Sequence, residues 1–425
     1  MVRWGPSLPV VCYREAPQSP APYLVAIDST NYLALAEGHV SEVRSPFTKR
    51  LLYPFMAGAL ARRAHLALPV AFLALNMASL VLLAACLAGC LVKLGVNPWL
   101  AALCLLTPFP IESLVMAYLP DLFHAALLSV FFLLLLRERE GWALAALLLA
   151  FVARESTLLL SLVLAWFAWR RGRKFLLYGT VCVLGMGWAV GSWFTRLGQP
   201  NIHHIPEVLY LGLKLPYNFI YNMFGVLFWT NLRADLGTPT VRWPLPHFLQ
   251  IGADREIGFL FDWSRPIQAV MVWLTVFGCG PLLARRWCRR AGPRQQWPLA
   301  VQVAFAYGLL SFVISVALGA WVSRLAGYGW PLFWIALPYC LKEAGLKFSV
   351  TDGLFLALAS FLVAWVPNLS GYWNLPRLYT LGLLAVPLLY GATYGWMRVV
   401  EAKTDAEPGA RATASSSGGA EKCGG

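Results

Sequence analysis

Long uninterrupted apolar runs constrain this chain more than any other feature of its sequence. They contain 15 to 27 residues each, and about 17–25 residues of α-helix are needed to cross a bilayer. Because no water is available in the hydrocarbon region, a single run satisfies its backbone groups there only as a helix. Charged residues make up 13% of the 425-residue chain, against about 25% in soluble domains. The sequence therefore predicts an all-α, polytopic transmembrane helical bundle and excludes an ordinary soluble enzyme.

The runs predict about eleven crossings, two of them short. They lie near residues 65–92, 99–119, 122–136, 142–152, 156–169, 175–193, 267–284, 298–322, 325–340, 353–366 and 378–397. The half-length runs at 142–152 and 156–169 decide the topology, because Arg154 and Glu155 stand between them. One long helix would hold this charged pair at mid-bilayer, where charges cost several kcal/mol. A hairpin of two short helices is therefore favoured.

The distribution of basic residues supports this topology and orients it. The hairpin places short loops with 14 lysines and arginines in 37 residues on one side, and segments with 15 in 149 residues on the other. Such residues concentrate in cytoplasmic loops. We therefore expect an exterior segment at 1–65, a bundle at 66–400 with an exterior loop at 196–266, and a disordered cytoplasmic tail at 401–425. The net charge of +14 is explained by these loops, and no nucleic-acid partner is expected.

Metal and nucleotide sites have weak signals in the sequence. The nine cysteines form no CxxC pair, so their spacing predicts neither a zinc site nor a disulfide framework. His203 and His204 are adjacent but lack a third placed ligand. Neither a GxGxxG nor a Walker A pattern occurs.

Polar residues that could take part in catalysis or binding lie on the exterior side of the predicted topology. Two lie in the N-terminal segment 27–32, one precedes the first span, and the others stand at the outer ends of later spans. An arginine there is followed by the glycine- and aromatic-rich segment 327–331. The candidates are Asp28, Tyr32, Arg50, Asp121, Arg154, Glu155 and Arg324.

This arrangement resembles the GT-C superfamily of polyprenol-phosphate-sugar-dependent membrane glycosyltransferases. Its members share an acidic residue in the first exterior loop, an arginine-proline segment leading into the next helix, and an acidic start to the third helix. They also share a short-helix hairpin with a basic-acidic tip, and a late outward arginine. The matching positions are Asp28, 46–54, Asp121, Arg154-Glu155 and Arg324, within about 22–175 and 320–340. The family has a transmembrane helix before the acidic loop, whereas residues 1–20 are broken by prolines.

The resemblance implies an enzyme that transfers a hexose or pentose from a polyprenyl-phosphate donor to a glycan, lipid or protein acceptor at the outer membrane face. Asp28 would accept the proton of the acceptor hydroxyl. Asp121 would serve as a second acid or as the ligand of a divalent metal, and no other cofactor is expected. Arg324 and Arg154 would bind the donor phosphate, because the guanidinium fork matches phosphate oxygens. The remaining substrate-binding candidates are Glu155, Arg50 and Tyr32.

Simpler interpretations stand beside this one. Asp28 and Asp121 also suit helix N-termini, and the arginines could anchor helices at the interface. A transporter or flippase of lipid-linked sugars is an alternative function, although it predicts charge in the middle of several helices. A non-catalytic scaffold of the same fold is a third. Arginines outnumber lysines by 26 to 8, which favours a multi-pass protein of the bacterial plasma membrane among membrane lipids.

Overall fold

The computed structural model describes most of the chain. The described residues are 3–4, 12–13, 29–199, 207–230, 240–244, 257–262, 264–292, 294–319, 322–346, 349–373 and 376–405. Asp28, the expected base, lies outside them, as do His203, His204 and the part of the predicted tail after residue 405.

Helices form most of the described chain, as the apolar runs predict. They are α1 (Ser29–Glu37), α2 (Leu52–Arg63), α3 (Leu68–Lys93), α4 (Pro108–Val115), α5 (Asp121–Leu136), α6 (Glu140–Ala153), α7 (Thr157–Arg170), α8 (Lys174–Leu197), α9 (Glu207–Phe224), α10 (Ser264–Thr275), α11 (Gly280–Arg290), α12 (Leu299–Leu318), α13 (Val322–Ala326), α14 (Leu337–Glu343), α15 (Val350–Trp373) and α16 (Pro376–Asp405). Short 3-10 helices lie at Val40–Glu42, Phe47–Lys49, Pro98–Leu106, Arg294–Gln296 and Gly327–Gly329, and a π-helical turn lies at Leu332–Ala336.

Small antiparallel sheets accompany the helices, and the all-α prediction omits them. Strands β1 (Arg3–Trp4) and β2 (Cys12–Tyr13) form one pair. Strands β3 (Val226–Thr230), β4 (Thr240–Pro244) and β5 (Ile257–Asp262) form a sheet in the order β3-β5-β4. Phe228 of β3 stands opposite Phe259 of β5. The β-branched and aromatic residues of this region favour strands, so the segment expected as an exterior loop contains a sheet.

Among the residues that the structure describes, three helices are long and apolar enough to cross a membrane. They are α3, α8 and α12, and the pair Arg265–Thr275 and Gly280–Arg290, bent by 49°, is a fourth candidate. Helices α5, α6 and α7 are shorter and apolar. The structure therefore contains helices of the membrane-spanning type, while the number of crossings remains a prediction.

The run at 99–119 is broken at Pro108 and Pro110, as these prolines predict. It contains the 3-10 helix at Pro98–Leu106 and the two-turn α4, with extended backbone at Thr107 between them. Pro108 and Pro110 cause the break, because proline lacks the backbone donor and restricts the preceding residue. Proline is tolerated in the first turn of a helix, so α4 begins at this point.

The half-length runs form two separate helices, α6 and α7, as predicted. Arg154 has extended backbone angles between them. Arg173, just before α8, donates to Glu140 at the start of α6, with 2.9 Å between Nε and Oε1. The loops before α6 and after α7 therefore lie at the same end of the bundle.

Further contacts extend this end of the bundle. Arg171 donates to the carbonyl of Trp297 at 2.8 Å, and Lys342 donates to the carbonyl of Leu94 at 2.9 Å. Basic segments predicted to share one compartment thus form two sets of contacts. Segments 137–141, 170–174 and 294–297 meet in one set, and 93–97 meets Lys342 in the other. We call this end of the bundle the loop end.

Aromatic packing fills the core between the two ends. Phe131 and Phe132 of α5 are fully buried, and the ring centroid of Phe132 lies 5.9 Å from that of Trp330. A second cluster, which includes Tyr32, Tyr53 and Phe72, packs α1 and α2 against α3. These clusters hold the N-terminal helices against the start of α5 and thereby position the polar groups there.

Candidate functional site

Six of the seven candidate residues lie together in two adjacent hydrogen-bonded groups, which we call the network. They come from α1, from the segment before α2, from the start of α5, from the break between α6 and α7, and from α13. We call this end of the bundle the network end, because α5, α6 and α7 each run between it and the loop end. Its six members are Tyr32, Arg50, Asp121, Arg154, Glu155 and Arg324.

Asp121 links two arginines that are far apart in the sequence. It is the first residue of α5, and its side chain is 1% exposed. Arg154 Nη1 donates to Oδ1, and Arg324 Nε donates to Oδ2 at 2.8 Å. Both carboxylate oxygens therefore accept charge-assisted hydrogen bonds, which are the strong class in proteins. The carboxylate fixes the positions of the two guanidinium groups.

Glu155 and Arg50 form the second half of the network. Arg50 Nε donates to Glu155 Oε2 at 2.8 Å, and Nη2 donates to Oε1, so the pair is bidentate. Arg50 Nη1 also donates to the hydroxyl of Tyr32 at 2.8 Å. Burial raises the pKa of Glu155, but the Arg50 guanidinium outweighs burial and lowers that pKa to about 2. Glu155 is therefore ionised at neutral pH.

The break between α6 and α7 supplies one residue to each half of the network. Arg154 has extended backbone angles, and Glu155 lies in the turn that follows it. Arg154 reaches Asp121, while Glu155 reaches Arg50. Thr157 at the start of α7 donates to the carbonyl of Arg154 at 2.9 Å and stabilises the break.

Residues beside the network extend it. The Arg154 guanidinium lies 4.5 Å from the ring centroid of Tyr328, which is a cation–π distance. His124 Nε2 lies 2.9 Å from the hydroxyl of Thr157. The hydroxyl of Ser323 donates to Glu112 at 3.1 Å. The sequence marks His124 and Glu112 as polar residues within apolar runs, where a functional role or an interhelical hydrogen bond is expected. Tyr328 belongs to the 327–331 segment, whereas Thr157 and Ser323 have no signal in the sequence.

The network leaves polar donors without an acceptor. Its three guanidinium groups contact two carboxylates, because Arg154 and Arg324 share Asp121. The Glu112 carboxyl group lies beside them, bonded to Ser323. The Nε of Arg154 and the hydroxyl of Tyr328 are buried and have no hydrogen-bond partner within the part of the chain that the structure describes. A buried polar group without a partner costs about 1–3 kcal/mol. The arrangement therefore favours an anion with acceptor oxygens.

A divalent metal does not fit the same residues. Both oxygens of Asp121 are occupied by guanidinium groups. No cluster of three or more His, Cys, Asp or Glu side chains that could hold a metal occurs among the described residues. The expected metal-ligand role of Asp121 therefore has no geometric support here.

Comparison with known proteins adds no relative to this picture. No family model, curated protein or solved structure matches the chain. The interpretation of the site consequently depends on its residues and their geometry.

Proposed function

We propose that the chain is a multi-pass membrane glycosyltransferase of the GT-C type. It would transfer a sugar from a polyprenyl-phosphate donor to an acceptor at the network end. The observation that carries this proposal is the convergence of six candidate residues, one pair of which is separated by 203 positions. Residues that only capped helices or anchored them in the interface would have no reason to share this buried network.

The surface of the bundle supports the membrane setting. Large apolar side chains point outward on the long helices: Val81 of α3 is 66% exposed, and Trp188 of α8 is 71% exposed. Extended apolar surface of this kind is unfavourable in water and favourable against lipid. The proposal includes eleven crossings in the bacterial plasma membrane, with the loop end in the cytoplasm.

The chemistry assigns different tasks to the two aspartates. The acceptor oxygen attacks the anomeric carbon of the sugar, the bond from that carbon to the phosphate oxygen breaks, and polyprenyl phosphate leaves with the electron pair. Asp28, which directly precedes α1 in the sequence, would take the acceptor proton. Asp121 would position Arg154 and Arg324, which bind the phosphate as its charge increases.

Asp28→Asn tests the catalytic assignment in cells. A strain without the protein should accumulate the unused lipid-linked donor, detected by mass spectrometry of its lipid extract. Wild type and the control Glu138→Gln, an exposed change at the loop end, should restore the normal level. Asp28→Asn should not, because removal of a general base slows a reaction about 10²–10⁴-fold. Restoration by normally expressed Asp28→Asn would favour the transporter or scaffold alternative.

Cysteine labelling tests the membrane topology. In a background without accessible native cysteines, an impermeant maleimide applied to intact cells should label Glu42→Cys. It should label neither Arg139→Cys nor Lys174→Cys, because both positions lie at the loop end. Labelling of only one of these two would contradict the hairpin.

A further inference from the structure

A second arginine-rich site lies at the loop end, apart from the network. It is a groove of about 620 Å³ between α7, α12 and the turn before α12. Arg170, Arg171 and Arg294 contribute to its lining, which contains no acidic residue among the described residues. None of the three forms an ion pair within the described chain. The groove therefore carries three uncompensated positive charges.

Contacts with neighbouring groups hold these arginines in place. Arg171 Nη2 donates to the carbonyls of Gln295 and Trp297 at 2.9 and 2.8 Å. The Arg294 guanidinium lies 4.3 Å from the ring centroid of Phe305, and Arg170 lies 5.1 Å from that of Trp166. Stacking and carbonyl contacts fix a guanidinium without neutralising it, so the groove is preorganised for an anion.

Apart from Gln295 and Gln302, the rest of the lining is apolar, and it extends along α12. Leu309 and Leu310 of α12 line it and are 40% and 41% exposed. Leu310 lies eleven residues beyond the start of α12 at Leu299, which is about 16 Å along a helix at ~1.5 Å per residue. Half of a hydrocarbon core of ~30 Å is about the same length. A free phosphate would use only the arginines, whereas a lipid would also cover this wall.

We propose that this groove binds an anionic diacyl phospholipid of the loop-end leaflet. Its phosphate would lie at Arg170, Arg171 and Arg294, and one acyl chain would follow α12 past Leu309 and Leu310. Basic pockets between helices on the cytoplasmic side suit such headgroups. The proposal rests on the proposed membrane placement and is independent of glycosyl transfer.

Native mass spectrometry of the purified full chain in detergent tests the charge requirement. Wild type should retain phosphatidylglycerol at least ~10-fold more strongly than phosphatidylcholine. The triple variant Arg170→Gln, Arg171→Gln, Arg294→Gln should lose roughly 10–100-fold in phosphatidylglycerol affinity. The matched control Arg139→Gln, Arg285→Gln, Arg289→Gln removes equal charge from exposed positions outside the groove and should retain wild-type affinity. Equal loss in both triples, or no preference for phosphatidylglycerol, would overturn the proposal.

A second measurement on the unmodified chain separates a lipid from other anions. Long-chain phosphatidylglycerol should bind more tightly than its six-carbon analogue, and inorganic phosphate should not displace it. Equal binding of the two chain lengths, or displacement by phosphate, would indicate a simple anion site. Displacement by polyprenyl phosphate that depends on the groove arginines would identify the donor as occupant and would equally overturn the proposal. The Asp28→Asn variant should bind phosphatidylglycerol like wild type, so failure here and failure of the proposed function are distinguishable.

Discussion

Both ends of the bundle are rich in arginine, but the two ends use it differently. At the network end, Arg154 is 7% exposed and contacts a carboxylate that is 1% exposed. At the loop end, Arg173 is 46% exposed and contacts Glu140, which is 16% exposed. Water screens the second pair and not the first. The same residue type is thus a structural requirement at one end and a solvated charge at the other.

This difference shows that the density of basic residues does not locate the buried charges. The basic loops contain more arginine per residue, yet each exposed charge there contributes little to the free energy of unfolding and can be replaced individually. The three network arginines are few, and each is expensive to bury without a partner. Because burying a charge is unfavourable, a buried charge in a membrane protein points to a function for that residue.

The largest effect should come from removing the carboxylate shared by Arg154 and Arg324. Asp121→Asn leaves these two guanidinium groups without that carboxylate, and breaking a buried ion pair in this way costs about 3–5 kcal/mol. We expect a corresponding fall in the free energy of unfolding, measured by thermal unfolding in lipid nanodiscs. The matched change at the loop end is Glu140→Gln. If the two variants are equally stable, the contrast between the ends is wrong.

Arg324 should affect donor binding more than folding when its charge is retained. Arg324→Lys keeps the charge but loses the planar fork, so the affinity for a polyprenyl monophosphate hexose should fall about 10-fold. Arg324→Ala should weaken it further, by up to ~100-fold, since a hydrogen bond to a charged group contributes about 1.5–3 kcal/mol. Equilibrium binding to purified protein measures both, with Arg173→Lys as the control. Wild-type affinity in both variants would make Arg324 a helix anchor and Arg154 the next candidate.

Acid should remove the contribution of Glu155 within a defined pH window. Its pKa falls from an ordinary 4.5 to about 2 in the folded chain, so its contribution is present above pH 4.5 and disappears as the pH falls towards 2. The difference in thermal midpoint between wild type and Glu155→Gln should therefore be constant from pH 8 to 5 and shrink below that. Disappearance of the difference near pH 6 would contradict the Arg50–Glu155 pairing.

The smallest effect should come from the exposed pair at the loop end. A double-mutant cycle of Arg173→Ala and Glu140→Ala should give a coupling energy below about 1 kcal/mol, because water screens this pair. Thermal unfolding of the four proteins measures it. A coupling above about 2 kcal/mol would indicate that the loop end is as dry as the network end.

Most of the helical fold could be predicted from the sequence, because apolar runs and charged breaks act locally. The separation of α6 from α7 at Arg154 follows from two adjacent charges between half-length runs. The break in 99–119 follows from Pro108 and Pro110, because proline acts on the backbone next to it. The sheet of β3, β4 and β5 depends on pairing between distant segments, which local patterns do not specify.

The site could be predicted as a set of residues but not as a set of contacts. Each candidate stood at a helix end, and the resemblance to GT-C enzymes selected those positions. Glu155 and Arg50 were candidates for the same site, but their pairing joins residues that are 105 positions apart. The stacking of Tyr328 under Arg154 likewise requires the 3-10 helix Gly327–Gly329 to lie beside the break between α6 and α7. Contacts of this kind depend on how the helices pack in the folded bundle, and the spacing of residues along the sequence does not specify them.

The double role of Asp121 has a consequence for the time course of assembly. Arg154 follows Asp121 by 33 positions, whereas Arg324 follows it by 203. At about 5–20 residues per second of synthesis, Arg324 emerges roughly 10–35 s after Arg154. During that interval the hairpin of α6 and α7 can already pack against α5, and Arg154 can bond to Oδ1 of Asp121 while Oδ2 has no arginine. The second bond can form only after α13 has been synthesised, so the first pair can precede the second during assembly.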